Sequence, residues 1–372
     1  MLLLLTLDGF RPDYLDWEPM PHLSRLLRLG TRVVDARACF PTLTTVNMAC
    51  LLTGCYPQST GIGCVPLYDR QADAVIPTPR ANHRTTLAEW LAQQGWRTAA
   101  VNHFLLENRG AQIYLSGGPR EVERLIATER PDFLAYLHGE VDAVGHAHGP
   151  FSEPMRRALQ RVDQAVARIL RALEDRGLLG RSLIAVTSDH GMSDFGRNVG
   201  GDVASILRGL GLEVFQYDGR ATQPSPRADV VVIGAGNRHI YWRRPVPERI
   251  RKAAEERLAA VAGAVLLKPA DLQALHCDLQ TVGDLVVTPL PGFVMSGGGS
   301  PGGLHGRLEE LRILMGFFGG RAAGGSASAG PAEGGQAGGR MLGTASIVDV
   351  FPTLLSLAGV APCPGVEGRA LL

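Results

Sequence analysis

Asp189 and His190 stand side by side directly after Leu183–Thr187, a short apolar and β-branched run of the kind that fills a buried strand. In an open α/β sheet the carboxyl ends of the strands are where ligands bind, so an adjacent carboxylate and imidazole there are candidate metal ligands. Gly191 removes a side chain beside them and lets the loop turn; the competing reading is a capping turn. Asp8-Gly9 ends the apolar stretch Leu2–Leu7 and puts a second carboxylate at a strand end, or forms an Asx turn. Asp142 and His146 lie four apart, so one helical turn places both on one face. Mixed Asp and His ligands suit zinc or manganese better than calcium, and His148 beyond them reads as a solvent-facing histidine. His305, in Gly302-Gly303-Leu304-His305-Gly306, is a loop histidine that either binds metal or is simply exposed. Thr44 or Thr45 falls in the first turn of a helix predicted over Val46–Leu52. Its hydroxyl is either an N-cap or a nucleophile, since a helix N-terminus stabilises developing negative charge and a nearby dication holds an alkoxide.

Taken together, Asp8, Thr44, Asp142, His146, Asp189, His190 and His305 offer three carboxylates, three imidazoles and one hydroxyl. Two dications would bring about four positive charges, and three carboxylates with a threonine alkoxide about four negative ones, the balance that a two-metal in-line displacement at phosphorus needs.

The elements that must position these groups alternate. Strands are predicted at Leu2–Leu7, through Val33 and Val34, and at Arg97–Val101, Asp132–Leu137 and Leu183–Thr187. Helices are predicted at Pro21–Leu29, Thr85–Gln94, Pro119–Thr128 and Ser152–Arg176, the last with a buried stripe from Leu159 to Leu173. That rhythm predicts an α/β fold, a mostly parallel central sheet flanked by helices, in a single catalytic domain spanning residues 1–372. From Phe195 to Gly303 the rhythm becomes irregular, with β runs at Val230–Ile233 and His239–Trp242 and a helix near Pro247–Ala262, which reads as an inserted cap subdomain beside the site. Gly319–Arg340 is almost entirely small residues and reads as a disordered loop. Thr344–Ala358 reads as a final helix interrupted or kinked at Pro352.

Composition narrows the partners. The 372 residues carry a formal net charge of +1, which gives no electrostatic reason to expect nucleic acid or an anionic membrane surface. Lys252 and Lys268 are the only lysines, leaving little room for a catalytic one. The six cysteines form no CxxC pair and read as mostly reduced thiols, and Met1–Leu7 is too short for a signal h-region or a span, so the expected location is cytoplasmic.

Several motifs in order resemble the alkaline phosphatase superfamily, most closely its nucleotide pyrophosphatase/phosphodiesterase branch. They are Asp8-Gly9, Phe40-Pro41-Thr42-Leu43-Thr44 with Asn47, Thr53-Gly54, Tyr56-Pro57, Asp142 through Pro150, Ser188 through Met192, His305-Gly306, the closing Asp349–Gly359 stretch and Gly368-Arg369. The resemblance implies an alkaline phosphatase-like fold, two divalent metal ions (zinc, or manganese as the alternative) and a small phosphodiester or nucleotide-like substrate. Carried over by position, it implies that Asp8, Thr44, Asp189 and His190 hold one metal and Asp142, His146 and His305 the other. Thr44 is then the nucleophile, and a phosphothreonine forms that water hydrolyses. Where the family has an Asn that helps hold the phosphoryl oxygen, this chain has Val65; where nucleotide-cleaving members have two aromatics, it has Thr45 and Leu137. Base stacking is therefore not expected.

Alternatives remain on the same fold: a phosphomonoesterase, a phosphonate hydrolase or phosphomutase, or a sulfatase-like enzyme. A sulfatase needs Cys-x-Pro-x-Arg, and Cys39-Phe40-Pro41-Thr42-Leu43 lacks the arginine. From a different class, a non-catalytic relative is suggested by Val65.

Overall fold

The computed structural model describes residues 1–80, 82–194, 196–234, 236–295, 302–319 and 339–372. Leu2–Leu7 is apolar at nearly every position because it is buried on both faces, as the centre of a parallel sheet must be. Leu2 and Leu4 point into one core with Leu51, Leu87 and Phe351, while Leu3, Leu5 and Leu7 point into the other with Leu23, Leu159 and Val162. Parallel neighbours lie on either side: Leu183–Thr187 in register with Thr6 opposite Thr187, and Phe133–His138 with Thr6 opposite Leu137. Thr98–Val101 and then Ile113–Leu115 extend the parallel side. On the other side Met315–Phe318 pairs antiparallel with Leu183–Thr187 and with Thr31–Arg37, and Arg340–Ser346 runs parallel to Thr31–Arg37. The nine-stranded sheet is thus mostly parallel, with an α/β order.

A second sheet of five strands is built from Val214–Gln216, Val230–Ile233, Arg238–Trp242, Ala264–Leu267 and Leu285–Pro289, mostly antiparallel. It encloses its own apolar core with the helix Glu248–Ala259. After it, Gly303–Leu304 pairs with Ser193–Asp194, so the segment leaves and returns beside the Asp189-His190 loop.

The predicted closing helix is corrected. Thr344–Ser346 belongs to the strand Arg340–Ser346, a short 3-10 turn covers Ile347–Asp349, and the helix begins only at Val350. Asp349 accepts from Ser346 N through Oδ2 at 2.9 Å and from Arg369 N through Oδ1 at 2.9 Å, which fixes the corner. Pro352 lies in the first turn, where its missing N–H has no ladder partner to lose, and it neither interrupts nor kinks the helix. The expected Gly/Ala-rich loop lies outside the described residues from 320 to 338, and Arg340 at its predicted end is already in the strand. Among the described residues no helix is long and apolar enough to cross a membrane. All six cysteines are buried and free.

Candidate active site

Three adjacent parallel strands deliver three acid-bearing loops to one edge. Leu183–Thr187 ends before Asp189 and His190, Leu2–Leu7 ends at Asp8, and Phe133–His138 leads into the helix Glu140–His148 that carries Asp142 and His146 on one face. Gly9 has φ +68°, and a Cβ there would sit 3.1 Å from Asp142 Cα, so a glycine lets the Asp8 turn approach that helix. Its N–H donates to Asp189 Oδ1 at 3.1 Å, tying two of the loops together.

Thr44 opens the helix Thr44–Thr53 as its first residue. The cap position belongs to Leu43, which makes no side-chain capping bond, so the Thr44 hydroxyl is not spent on the helix. It lies 3.0 Å from His190 Nε2. The loop before it is clamped by Asn47, whose Oδ1 accepts from Cys39 N at 2.7 Å and whose Nδ2 donates to the carbonyls of Cys39 at 3.1 Å and Pro41 at 3.2 Å.

All three histidines face the site with the same nitrogen. His190 Nδ1 meets Gly191 O at 2.8 Å, His146 Nδ1 meets Gly303 O at 3.0 Å, and His305 Nδ1 meets Thr42 O at 2.7 Å. A carbonyl only accepts, so each Nδ1 carries a proton and each Nε2 is turned to the site, the orientation of a metal-binding imidazole. Two of these Nε2 atoms, on His146 and His305, face each other at 3.1 Å, and His305 Nε2 lies 3.5 Å and His146 Nε2 3.4 Å from Asp142 Oδ1. His190 Nε2 is 3.4 Å from Asp8 Oδ1 and 3.3 Å from Asp189 Oδ2. Burial disfavours the charged ring at His190 and His305, so their contacts with these carboxylates are not ion pairs but acceptors pointed at acceptors. Asp8 Oδ1, Asp142 Oδ1 and Asp189 Oδ2 are all buried without a hydrogen-bond partner. Buried polar atoms are normally paired, so this convergence of orphaned oxygens and lone pairs fits cations.

The electrostatics agree. Burial, then the charges of Asp189 and Asp142, push the Asp8 carboxyl well above the ordinary range. Burial, with the Asp142 charge adding, raises Asp189 to about 7. Burial lowers His190, and burial with the neighbouring His190 lowers His305 to about 4. The cluster favours neutral rings at His190 and His305 and resists gathering its own negative charge, a penalty that dications remove. Asp142, His190 and His305 form one group with ligand atoms within 4.8 Å of one another, and Asp8, Asp189 and His190 another. All seven residues singled out by sequence therefore converge, with His190 shared between the two groups; His148 stays exposed.

Two supporting features were not read from the sequence. Thr42 Oγ1 donates to Arg307 O at 2.7 Å and accepts from Gly306 N at 2.9 Å, stapling the nucleophile loop to the His305 loop. Arg307, fully buried, pairs with buried Glu310 through Nε at 3.0 Å and an Nη at 2.7 Å. The i, i+3 spacing was visible, but two charges in a glycine-rich stretch look like exposed loop until the burial is known.

A family model described as type I phosphodiesterase / nucleotide pyrophosphatase matches residues 2–308. The chain belongs to this phosphodiesterase family. Venom phosphodiesterase 2 of Crotalus adamanteus is 30% identical over 251 residues, covering 61% of this chain and 30% of the relative. Ectonucleotide pyrophosphatase/phosphodiesterase family member 1 of Rattus norvegicus is 32% identical over 219 residues, 51% of this chain and 24% of the relative. The matches thus span less than a third of the length of these curated family members. The phosphodiesterase-family fold extends over the whole chain: murine ectonucleotide pyrophosphatase / phosphodiesterase 5 superposes with a TM-score of 0.74 at 19% identity, covering 98% of this chain and 96% of that one. An inactive threonine-to-alanine form of that murine protein, in complex with AMP, gives 0.72 at 18% identity over 98% of this chain and 96% of that one.

Proposed function

We propose that the protein is a metal-dependent hydrolase of phosphodiester or pyrophosphate bonds with Thr44 as its nucleophile. The observation that carries this reading is the Thr44 hydroxyl, free of any capping duty and 3.0 Å from His190 Nε2, at the head of a helix facing both ligand groups. Asp8, Thr44, Asp189 and His190 would hold one divalent ion and Asp142, His146 and His305 the other, zinc or manganese by ligand type. Bound there, the two ions supply positive charge for the threonine alkoxide and for the oxygens around phosphorus.

The chain's own residues do the rest. Thr44 Oγ1 forms the bond to phosphorus as the bond to the leaving oxygen breaks, and water later restores the hydroxyl. The first amide in the helical ladder is Asn47 N, bonded to Leu43 O at 3.0 Å. The N–H groups of Thr44, Thr45 and Val46 precede that ladder and cradle the phosphoryl oxygens from the positive end of the helix, the work that Val65 cannot do. Thr45 and buried Leu137 offer no ring for a base, so the reading commits to the phosphate chemistry and not to a nucleoside. The AMP complex of the murine neighbour and the names of the curated relatives support the same reaction class.

The test is hydrolysis of bis-p-nitrophenyl phosphate and p-nitrophenyl phosphate side by side, with metal-stripped protein resupplied with zinc or manganese. The expected result is faster diester cleavage, restored by metal and abolished in Thr44→Ala with circular dichroism unchanged. Monoester preference would move the protein to the phosphatases, and turnover surviving in Thr44→Ala would remove Thr44 from the mechanism.

A further inference from the structure

Beside His146 and His305 opens a pocket of about 170 Å³ whose other side chains are Leu43, Val65, Asn237, His239 and Leu304. Asn237 sits on the turn between Val230–Ile233 and Arg238–Trp242 of the second sheet. A Cβ on Gly236 would meet His305 O at 2.6 Å, so the turn lies directly on the His305 backbone and the pocket is part of the same site.

Asn237 is 2% exposed, and its Nδ2 donates to Gly306 O at 2.6 Å. Because a carbonyl only accepts, the amide cannot be reversed, and the atom left without a partner is Oδ1, a pure acceptor. His239, equally buried, points Nδ1 at Val282 O at 2.8 Å; that nitrogen therefore carries the hydrogen and Nε2 is a second acceptor. An acceptor cannot hold a phosphoryl oxygen, so Asn237 does not replace the amide missing at Val65. A hydroxyl entering the pocket supplies the donor that this oxygen lacks among the described residues, relieving the cost a buried unpaired group carries. Among the described residues no acidic side chain lines the pocket, which favours a neutral hydroxyl over an ammonium group. The volume lies below the roughly 300–1,000 Å³ usual for drug-sized ligands, which favours a short alcohol.

We propose that this pocket receives the alcohol part of the phosphate ester, and that Asn237 and His239 select short alcohols carrying a free hydroxyl. The substrate class is then phosphodiesters of small polyols. This rests on the phosphate-ester reading above, and the two separate in one experiment.

Calorimetric titration of zinc-supplemented Thr44→Ala protein with glycerol 3-phosphate and with n-propyl phosphate compares ligands of like shape with and without hydroxyls. Glycerol 3-phosphate is expected to bind at least tenfold more tightly, about 1.4 kcal/mol, and Asn237→Leu in the same background is expected to bring the ratio close to one. Taking the ratio cancels any general disturbance from the lost Gly306 bond, and the Asn237-containing protein alone decides if that variant does not fold. Equal binding of the two esters, or tighter binding of n-propyl phosphate, overturns the hydroxyl selection and leaves the hydrolase reading standing. Binding of neither overturns both.

Discussion

Thr42→Val removes one oxygen from the interior while keeping the side chain's shape. Thr42 is fully buried, and its hydroxyl has one hydrogen to give. That hydrogen goes to Arg307 O at 2.7 Å and not to Glu310 Oε2, which is farther away at 3.3 Å. The same oxygen accepts from Gly306 N at 2.9 Å. Valine would leave one buried carbonyl and one buried N–H unpaired, each costing about 1–3 kcal/mol, so a total loss of about 2–6 kcal/mol is expected. Part of that loss should appear at the metal centre, because Thr42 O also holds His305 Nδ1 at 2.7 Å and the loop carrying it would loosen. Urea denaturation with and without saturating zinc gives the stability, and competition with a chelating dye gives the affinity. The expected outcome is a lower midpoint in both states and weaker zinc binding, with Thr45→Val, at a half-buried neighbour, as the control. If Thr42→Val keeps both the midpoint and the zinc affinity of the parent, the staple is not holding the His305 loop.

Two further outcomes follow from the same geometry. Gly9→Ala places a Cβ 3.1 Å from Asp142 Cα on a residue at φ +68°, so it should cost about 1–3 kcal/mol and weaken metal binding; an unchanged melting temperature with full metal occupancy would refute it. Asp189 is raised to about 7 in the metal-free fold against an unfolded value of about 3.9, so its contribution is present below about pH 4 and is lost as pH rises through 7. Metal competes with that proton, and the rise in melting temperature produced by zinc should therefore grow from pH 5 to pH 8; a rise that is flat or larger at pH 5 would contradict the assignment.

The site was legible because its chemistry sits at strand ends. Leu2–Leu7 and Leu183–Thr187 are apolar runs cut short by Asp8 and by Asp189-His190, and the spacing of Asp142 and His146 needs only one helical turn to make sense. What failed depended on distant partners. Thr344–Ser346 has no local signal against a helix; it is a strand because Thr31–Arg37 offers it a parallel edge. Thr42 reads as one more polar loop residue, and its role exists only once Gly306 and Arg307 arrive from more than 260 positions away. Asn237 is equally silent in sequence, since nothing before the fold tells an orphaned amide from a turn residue.

The pinning of His146, His190 and His305 by carbonyls of Gly303, Gly191 and Thr42 bears on the order of events in the life of the chain. The cage spans from Asp8 to His305, so a growing polypeptide cannot close it until most of the protein has been made. Its struts are hydrogen bonds from ring nitrogens to backbone carbonyls, however, and the sheet that carries them packs two apolar cores. On the proposed reading, metal would enter a receptacle whose walls are already folded, in contrast to small domains whose cation is itself the scaffold. A chelator should empty such a receptacle while leaving its walls standing, and the same molecule should fill again without passing through an unfolded state.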